Sequence, residues 1–471
     1  MHRSGTITDV KWAVLAGSLV VTTVATLYAY AATERERTYR QLIDTGDAAL
    51  ARDDGYAAIA AFSGAIALKG ESMLGYLKRG EAYARRAEYE TAVPDLSRAA
   101  ELDPTAPRAQ ELLGDVNYGL HRYDRAAQRY EEFLRLDEGA PRILYKLALS
   151  HYAADRPAAA LSALKKAIAL ESKFAEAHYL LGLCLRDMQD VRGAVASLER
   201  AVLLGPALLQ AREELAELYA QQGRQRDRIK QLDALLALDA RPSREVALGL
   251  AYAEAGRVDN AILKLGDATE RYPDHAYTYV ALGRVWLQTA QRDRVAASRR
   301  VSLTKALAAL EGAVAMDASS EAMTLLGRAL LMSGDDEQAE RVLHEATEKL
   351  PVEPSSFFYL AEAAERRGRF DVARLALLDY HALDLERDGR RLGELAERIA
   401  DTSMRLNDPP TAVRWYQRAL DAAGPDDALL TRLAEAQLRA GDVANARTTI
   451  DRVLEKDPAN AAARLLLRRL Y

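Results

Sequence analysis

Apolar and polar positions along most of the chain alternate with the period of an α-helix. In one clear segment, Tyr76, Gly80 and Tyr83 are followed, after a polar turn, by Ala92 and Leu96. Spacings of three, four and seven residues place side chains on one face of a helix. The pattern therefore predicts two short helices that pack against each other through their apolar faces.

This pair of helices recurs with a period of 34 residues. The first helix of each pair carries a small residue in the same place: Gly46, Gly80, Gly114, Ala148, Gly182 and Ala216. Twelve residues later a second small residue follows in the first five pairs, at Ala58, Ala92, Ala126, Ala160 and Ala194. A fixed period of this length is typical of a solenoid, in which each unit packs on its neighbours. We expect the helices of a pair to cross closely at these positions, because a larger side chain would push the backbones apart.

Proline follows the second helix in five of the units. It lies 24 residues after the small residue of the first helix, at Pro104, Pro206, Pro273, Pro351 and Pro458. Proline lacks a backbone N–H and clashes with the preceding turn, so it prevents a helix from continuing. The sequence therefore predicts that these second helices end shortly before each proline.

A segment without charged residues lies near the N-terminus, at residues 12–32, after a short tail of residues 1–11. As a helix it would be about 31 Å long, enough to cross the apolar core of a bilayer. Trp12, Tyr28 and Tyr30 lie near its ends, where aromatic side chains favour the headgroup region. We predict a single-pass membrane anchor, with a cleaved signal sequence that ends near Ala32 as the alternative.

The charges around this segment do not decide its orientation. Arg3 and Lys11 precede it, and Arg35, Arg37 and Arg40 follow it, so the positive-inside rule gives nearly a tie. A cleaved signal and a cytoplasmic N-terminus would both put the rest of the chain outside the cytoplasm. We therefore favour the extracytoplasmic (periplasmic) side for the repeats.

The overall charge and the cysteine content restrict the functional classes. The 64 lysine and arginine residues nearly balance the 69 aspartate and glutamate residues, for a formal charge of −5, which argues against a nucleic acid partner. The single cysteine, Cys184, excludes an internal disulfide. We expect it to be a buried and unreactive thiol.

The repeat units resemble the tetratricopeptide repeat family. The pattern of that family is met in the seventh unit by Leu248, Gly249, Tyr252, Ala261, Leu265, Ala268 and Pro273. About twelve such units fit between residues 39 and 460, and residues 461–471 are predicted to form a C-terminal capping helix. The resemblance implies an all-α, right-handed superhelical solenoid of about 12 helical hairpins, which binds other proteins in its concave groove.

Three places depart from the repeat pattern. Residues 289–303 hold an insertion of about 11 residues, residues 386–391 are predicted to be a flexible joint, and Arg228 replaces a small residue. We expect the stem of Arg228 to lie along its hairpin with the charged head in water, with a bend or a binding notch as the alternative. The insertion carries four arginines, Arg292, Arg294, Arg299 and Arg300. They form a candidate surface for an acidic partner or anionic headgroups, with a solvated extension of two helices as the alternative.

The resemblance also indicates a candidate binding groove. In this family, exposed residues of the first helices line the concave wall, and in units three to five these are Tyr118, Tyr145, Leu149, Tyr152, Tyr179 and Leu183. We predict an apolar stripe, fringed by hydroxyl groups, that binds an extended segment of another protein. Ordinary scaffold tyrosines are the alternative. In unit six, Glu213, Glu214 and Glu217 would add an acidic patch that favours a basic partner, with a solvated face as the alternative.

The sequence contains no motif typical of a catalytic or cofactor site. Glycine-rich phosphate loops and the GxSxG and HExxH motifs are absent, and the histidines share no ligand spacing. We therefore predict no enzyme activity, no cofactor and no metal, and a membrane-tethered scaffold that helps assemble a membrane or envelope complex. A regulatory subunit of an attached enzyme or transporter is the alternative, and a hydrolase with a site in the acidic groove is favoured less.

Overall fold

The computed structural model describes residues 6–383, 389–424 and 426–470. Within these ranges the regular structure is α-helical and no strand occurs, which confirms the predicted all-α fold. The contacts divide the chain into two units, unit 1 from Met1 to Leu218 and unit 2 from Tyr219 to Tyr471. In chain order the described helices make twelve successive pairs followed by one further helix.

Unit 1 contains five helical hairpins and most of an eleventh helix. Its helices are α1 (Thr6–Ala51), α2 (Gly55–Leu68), α3 (Met73–Arg85), α4 (Tyr89–Leu102), α5 (Pro107–Gly119), α6 (Tyr123–Leu136), α7 (Pro141–Ala153), α8 (Pro157–Leu170), α9 (Ala175–Asp187), α10 (Val191–Leu204) and α11 (Leu209–Gln221). From α1 to α10, the two helices of each hairpin pack together, and each second helix packs on the first helix of the next hairpin. This is the arrangement that the repeat pattern predicts.

Unit 2 follows the same plan with six hairpins between α12 and a short last helix. Its helices are α12 (Gln225–Leu238), α13 (Pro242–Glu254), α14 (Val258–Arg271), α15 (Ala276–Arg292), α16 (Ala296–Met316), α17 (Ser320–Ser333), α18 (Asp336–Thr347), α19 (Ser355–Arg366), α20 (Phe370–Leu383), α21 (Gly389–Arg405), α22 (Pro409–Ala423), α23 (Asp427–Arg439), α24 (Val443–Lys456) and α25 (Ala461–Arg468). Helix α25 packs on α24 and α23, where it covers Leu430 and Ile450 as part of one apolar cluster. Of the predicted joint, residues 386–388 lie outside the described residues.

Glycine allows the two helices of a hairpin to approach closely. A Cβ atom on Gly182 would lie 2.6 Å from Cγ of Leu198, and one on Gly114 would lie 2.4 Å from Cε1 of Tyr130. Carbon atoms that are not bonded do not approach this closely, so only glycine leaves room for the large side chain. The prediction of a close crossing is confirmed at these glycines, and the group that fills the space is the large residue of the second helix.

In most described hairpins, the α15–α16 hairpin excepted, the turn holds a residue in the left-handed backbone conformation. In unit 1 this residue carries a side chain in five hairpins, at Asp53, Ala87, His121, Asp155 and Gln189. In unit 2 it is Asn407 in one hairpin and a glycine in four, at Gly256, Gly334, Gly368 and Gly441. A Cβ atom raises the energy of this conformation by about 1 kcal/mol. The turns of unit 1 are therefore the more strained of the two sets.

Helix α1 combines the apolar N-terminal segment and the first helix of the first hairpin. It is long and apolar enough to cross a membrane, and no part of its apolar window is buried. The hydroxyls of Thr22 and Thr23 donate hydrogen bonds to carbonyl oxygens one turn earlier, which satisfies polar groups within the apolar stretch. Further along the same helix, Tyr39 and Ile43 are buried. The anchor predicted from the sequence thus continues into the repeats within one helix.

Arg228 reaches a carboxylate of the following hairpin in an exposed hydrogen bond. Its side chain is 17% exposed and forms an ion pair with Glu254 of α13, which also accepts a hydrogen bond from Gln225 at 3.3 Å. The pairing was not predicted, because the following hairpin supplies the carboxylate within reach. The arginine therefore bonds α12 to α13 in unit 2.

Candidate binding groove and insertion

The predicted groove residues lie on three successive first helices of unit 1. Tyr118 lies on α5, Tyr145, Leu149 and Tyr152 on α7, and Tyr179 on α9, and all five are half-buried. We call these five residues the inner stripe. Leu183 on α9 is only 8% exposed and belongs to the core, so it adds packing and little surface.

The tyrosines of the inner stripe are held in place by neighbouring aromatic rings. Tyr145 contacts Phe174 with 5.1 Å between ring centroids, and Tyr118 contacts Tyr123 with 5.4 Å. Such tilted pairs stabilise a ring in one orientation. Fixed rings lose little conformational entropy when a partner binds.

Three tyrosines of the inner stripe pack against one apolar cluster of unit 1. Tyr118 of α5, Tyr145 of α7 and Tyr179 of α9 lie partly buried on the cluster that contains Leu147 and Leu180. Burial, with smaller contributions from Glu176, Tyr118 and Tyr179, raises the pKa of Tyr145 to about 12. The structure thus brings together Tyr118, Tyr145 and Tyr179.

The hydroxyl of Tyr152 belongs to a network of charged groups. It donates a hydrogen bond to Asp187 at 2.8 Å, and Asp187 also accepts one from Nε of Arg186 at 2.9 Å. Arg186 in turn forms an ion pair with Glu214 of α11. Burial and the hydrogen bond to Asp187 together raise the pKa of Tyr152 to about 12. The network connects three successive first helices.

A second network lies beside Tyr118. Nζ of Lys146 donates to Glu111 and to Asp115, both at 2.8 Å, and the hydroxyl of Tyr130 donates to Asp115 at 2.7 Å. Burial alone would raise the pKa of Glu111, but hydrogen bonds from Lys146 and Arg108 outweigh it, so this pKa lies below its ordinary value. Here too the charges are paired across neighbouring first helices.

The predicted acidic patch on α11 divides into two parts. Glu213 and Glu217 are exposed, whereas Glu214 is half-buried and paired with Arg186. The negative charge of Glu214 is therefore largely compensated. The side chains of Glu213 and Glu217 are exposed on the same helix.

The four arginines of the insertion lie where α15 and α16 meet. All four are exposed: Arg292, Arg294, Arg299 and Arg300. We call residues 289–303 the tip. Its aspartate, Asp293, accepts a hydrogen bond from the hydroxyl of Ser298, and its backbone carbonyl accepts two from the guanidinium of Arg299.

A cleft between α6 and α8 was not predicted from the sequence. This cleft has a volume of about 850 Å³ and is lined by Leu134, Leu147, Leu170, Lys166, Glu138 and His151, among others. Burial lowers the pKa of His151, and its Nδ1 atom has no hydrogen-bond partner among the described residues. The cleft has no sequence signal because its walls come from three helices whose apolar positions match the ordinary repeat.

The charged partners of the inner stripe were also missed. Lys146 pairs with residues 31 and 35 positions earlier, and Arg186 pairs with Glu214, 28 positions later. These separations are close to the repeat length, so opposite charges about one repeat apart were the available signal.

The described side chains indicate no metal site. Among the residues that the structure describes, no group of three or more His, Cys, Asp or Glu side chains is arranged to hold a metal ion. Cys184 is fully buried in α9, and burial raises its pKa to about 12. Such a thiol stays protonated and is a poor nucleophile.

Several family models match the chain. A tetratricopeptide repeat model matches residues 77–141, 246–301 and 327–388, and a second tetratricopeptide repeat model matches residues 403–470. A model described as anaphase-promoting complex, cyclosome, subunit 3 matches residues 119–201.

Two curated relatives match parts of the chain. Small glutamine-rich tetratricopeptide repeat-containing protein 2 of Mycosarcoma maydis is 29% identical over 97 residues, which are 21% of this chain and 28% of the relative. The BBSome complex member BBS4 homolog of Drosophila melanogaster is 29% identical over 127 residues, which are 27% of this chain and 26% of the relative. The chain thus spans about a quarter of the length of these relatives.

Solved structures resemble parts or most of the chain. YrrB, described as a TPR protein with an unusual peptide-binding site, is 23% identical, with 38% of this chain and 92% of that chain covered and a TM-score of 0.34. The APC/C hetero-tetramer Cut9–Hcn1 is 12% identical, with 92% of this chain and 96% of that chain covered and a TM-score of 0.36. A tetratricopeptide repeat protein from Parabacteroides merdae is 14% identical, with 53% of this chain and 99% of that chain covered and a TM-score of 0.40.

The assignment to a family rests on the repeat models and on the helical hairpins. The two tetratricopeptide repeat models together match more than half of the chain, and the segments that they match are helical hairpins in both units. The chain belongs to the tetratricopeptide repeat family.

Proposed function

We propose that this chain is a membrane-tethered scaffold that binds an extended segment of a partner protein along the inner stripe. Membership of the tetratricopeptide repeat family supports protein binding as the general function. The observation that carries the proposal is the packing of Tyr118, Tyr145 and Tyr179 on one apolar cluster, from which they present half-buried rings on three successive first helices. A segment with aromatic or aliphatic side chains fits such a surface.

The charges around the inner stripe support binding by a pre-formed surface. Tyr152, Asp187 and Arg186 hold one another by hydrogen bonds, as do Lys146 and its two carboxylates. The surface therefore needs no rearrangement before it binds, and the partner segment alone loses conformational entropy. Exposed Glu213 and Glu217 favour a basic residue at one end of the bound segment.

The membrane part of the proposal is supported by α1. Its apolar stretch is exposed, with Trp12 70% and Tyr28 79% accessible. Because the same helix continues into the first hairpin, an anchored α1 would hold that hairpin close to the bilayer. We propose that the array lies on the extracytoplasmic side and contributes to a membrane or envelope complex.

Photo-crosslinking in intact cells tests the binding surface. A crosslinking amino acid placed at Leu149 or Glu217 of the full chain is expected to capture a protein. The matched control position is Leu203 of α10, which is 68% exposed and lies on a second helix. Capture of the same protein with equal yield at Leu203, or capture at Leu203 alone, would contradict binding at the inner stripe.

The mass of the purified chain tests the anchor. A retained anchor predicts the full N-terminus and resistance to extraction from membranes by alkaline carbonate. A chain that begins near Thr33 and is released in soluble form would show that the N-terminal segment is a cleaved signal sequence.

A further inference from the structure

The tip extends beyond the turn end of an ordinary hairpin of this chain. Helix α15 continues nine residues past Gly283, whereas α3 continues five residues past Gly80. Helix α16 begins ten residues before Ala306, whereas α4 begins three residues before Ala92. At about 1.5 Å per residue, these differences lengthen the two helices by roughly 6 Å and 10 Å. All of the added length lies at the end where the arginines are.

The positive charge of the tip is not compensated. Within the described part of the chain, no carboxylate lies within ion-pair distance of Arg292, Arg294, Arg299 or Arg300. The only acidic residue between positions 292 and 300 is Asp293, which bonds to Ser298. Arginines elsewhere are paired in many cases, as Arg79 is with Asp95 and Arg398 is with Glu365. Four guanidinium groups without a carboxylate partner, spread over the end of α15, the connection and the start of α16, concentrate positive potential there.

Two exposed valines lie among these arginines. Val295 precedes α16 and is 62% exposed, and Val301 lies within its second turn and is 55% exposed. Branched apolar side chains beside arginines match the boundary of a bilayer, where phosphates and acyl chains are adjacent. A short peptide would be bound less well, because the end of a hairpin offers no walls that surround it.

We propose that the tip binds the surface of a bilayer that contains anionic lipids. The four arginines bind headgroup phosphates, and Val295 and Val301 enter the layer below them. No residue of the inner stripe takes part in this binding. Variants of the tip therefore test lipid binding, and variants of the inner stripe test the proposed groove.

Vesicle binding by the full chain tests the proposal. The chain is reconstituted through its N-terminal helix in nanodiscs of phosphatidylcholine, and its binding to separate vesicles is measured by co-flotation. The chain is expected to bind vesicles that contain phosphatidylglycerol with an affinity roughly tenfold higher than its affinity for vesicles of phosphatidylcholine alone. A variant with Arg292→Gln, Arg294→Gln, Arg299→Gln and Arg300→Gln is expected to lose this difference.

A matched control removes the same number of charges elsewhere. The four arginines replaced by Gln are exposed residues of other helices, Arg142, Arg192, Arg200 and Arg452. This control is expected to bind anionic vesicles as the unchanged chain does. If the control and the tip variant lose binding equally, net charge alone acts and the proposal is overturned.

Two further measurements separate a lipid surface from an acidic protein segment. Val295→Ser with Val301→Ser is expected to lower binding to anionic vesicles, and no effect would contradict insertion of the valines. Soluble poly-glutamate is expected to compete weakly. Full displacement from the vesicles by poly-glutamate at a matched charge concentration would assign the tip to an acidic partner instead.

Discussion

The inner stripe and the tip both present apolar side chains next to charges, but they hold those charges differently. Beside the inner stripe, Lys146 bridges Glu111 and Asp115, and Arg186 bonds to Asp187 and Glu214. At the tip, four arginines have no carboxylate partner within the described residues. Paired charges give a surface of fixed shape, which favours selection among partners. Unpaired charges give long-range attraction with little selection, which suits a lipid surface.

The largest expected difference concerns the packing beneath the two surfaces. Leu198 is fully buried over Gly182, so Leu198→Ala leaves a cavity under α9 and is expected to cost about 3 kcal/mol. Val301→Ala at the tip is expected to change stability by less than about 0.5 kcal/mol. Native-state hydrogen exchange of the amides in each hairpin measures both. Equal effects would mean that the tip is packed as the core is.

Removal of a charged side chain should also lower stability more beside the inner stripe than at the tip. Lys146→Met leaves two half-buried carboxylates without their shared cation, and we expect a loss of about 1 kcal/mol after allowance for solvent screening. Arg300→Met removes an unpaired charge from a basic cluster, so we expect no loss. Urea unfolding of the two variants beside the unchanged chain measures this. A loss for Arg300→Met as large as that for Lys146→Met would contradict the contrast.

The Lys146 network should also make stability depend on pH. The folded-state pKa of Glu111 lies below its ordinary value of 4.5, so the unfolded chain binds more protons as the pH falls through that range. The stabilisation is present above pH 4.5 and is lost as the pH falls through the folded-state pKa. We expect Lys146→Met to show a smaller loss of stability on acidification below pH 4.5. If the stability of Lys146→Met and that of the unchanged chain fall in parallel below pH 4.5, the bond between Lys146 and Glu111 does not cause the pH dependence.

The smallest difference separates two tyrosines within the inner stripe. Tyr152 donates a hydrogen bond to Asp187, whereas the hydroxyl of Tyr145 has no hydrogen bond recorded within the described residues. Tyr152→Phe is expected to cost about 1 kcal/mol, and Tyr145→Phe is expected to be nearly neutral. Thermal unfolding of both variants tests this, and a reversed order would show that the network does not hold Tyr152.

The repeat pattern predicted the fold well because it depends on local packing. Gly114 and Gly182 are small because one large side chain of the second helix lies over each of them, and that requirement recurs with every hairpin. Arg228 was predicted less well. Its partner Glu254 belongs to the next hairpin, and a helical pattern does not show which charges face each other across helices.

The candidate groove was predicted only in part, because contacts between different hairpins do not follow from the helical pattern. The family pattern indicated which positions of α5, α7 and α9 belong together, and five of six are partly accessible. It did not show that Leu183 is covered or that Glu214 is paired with Arg186. Both facts depend on contacts between successive first helices, whose side chains are set by the individual sequence of each repeat.

The most direct test of the inner stripe combines the crosslinker at Leu149 with loss of two tyrosine rings. Tyr145→Ala with Tyr179→Ala is expected to reduce the yield of captured partner roughly tenfold or more, because buried aromatic side chains contribute most of the energy at protein interfaces. The four-arginine variant of the tip is expected to leave the yield unchanged. An unchanged yield without the two rings, in a chain that still folds by circular dichroism, would contradict binding at the inner stripe.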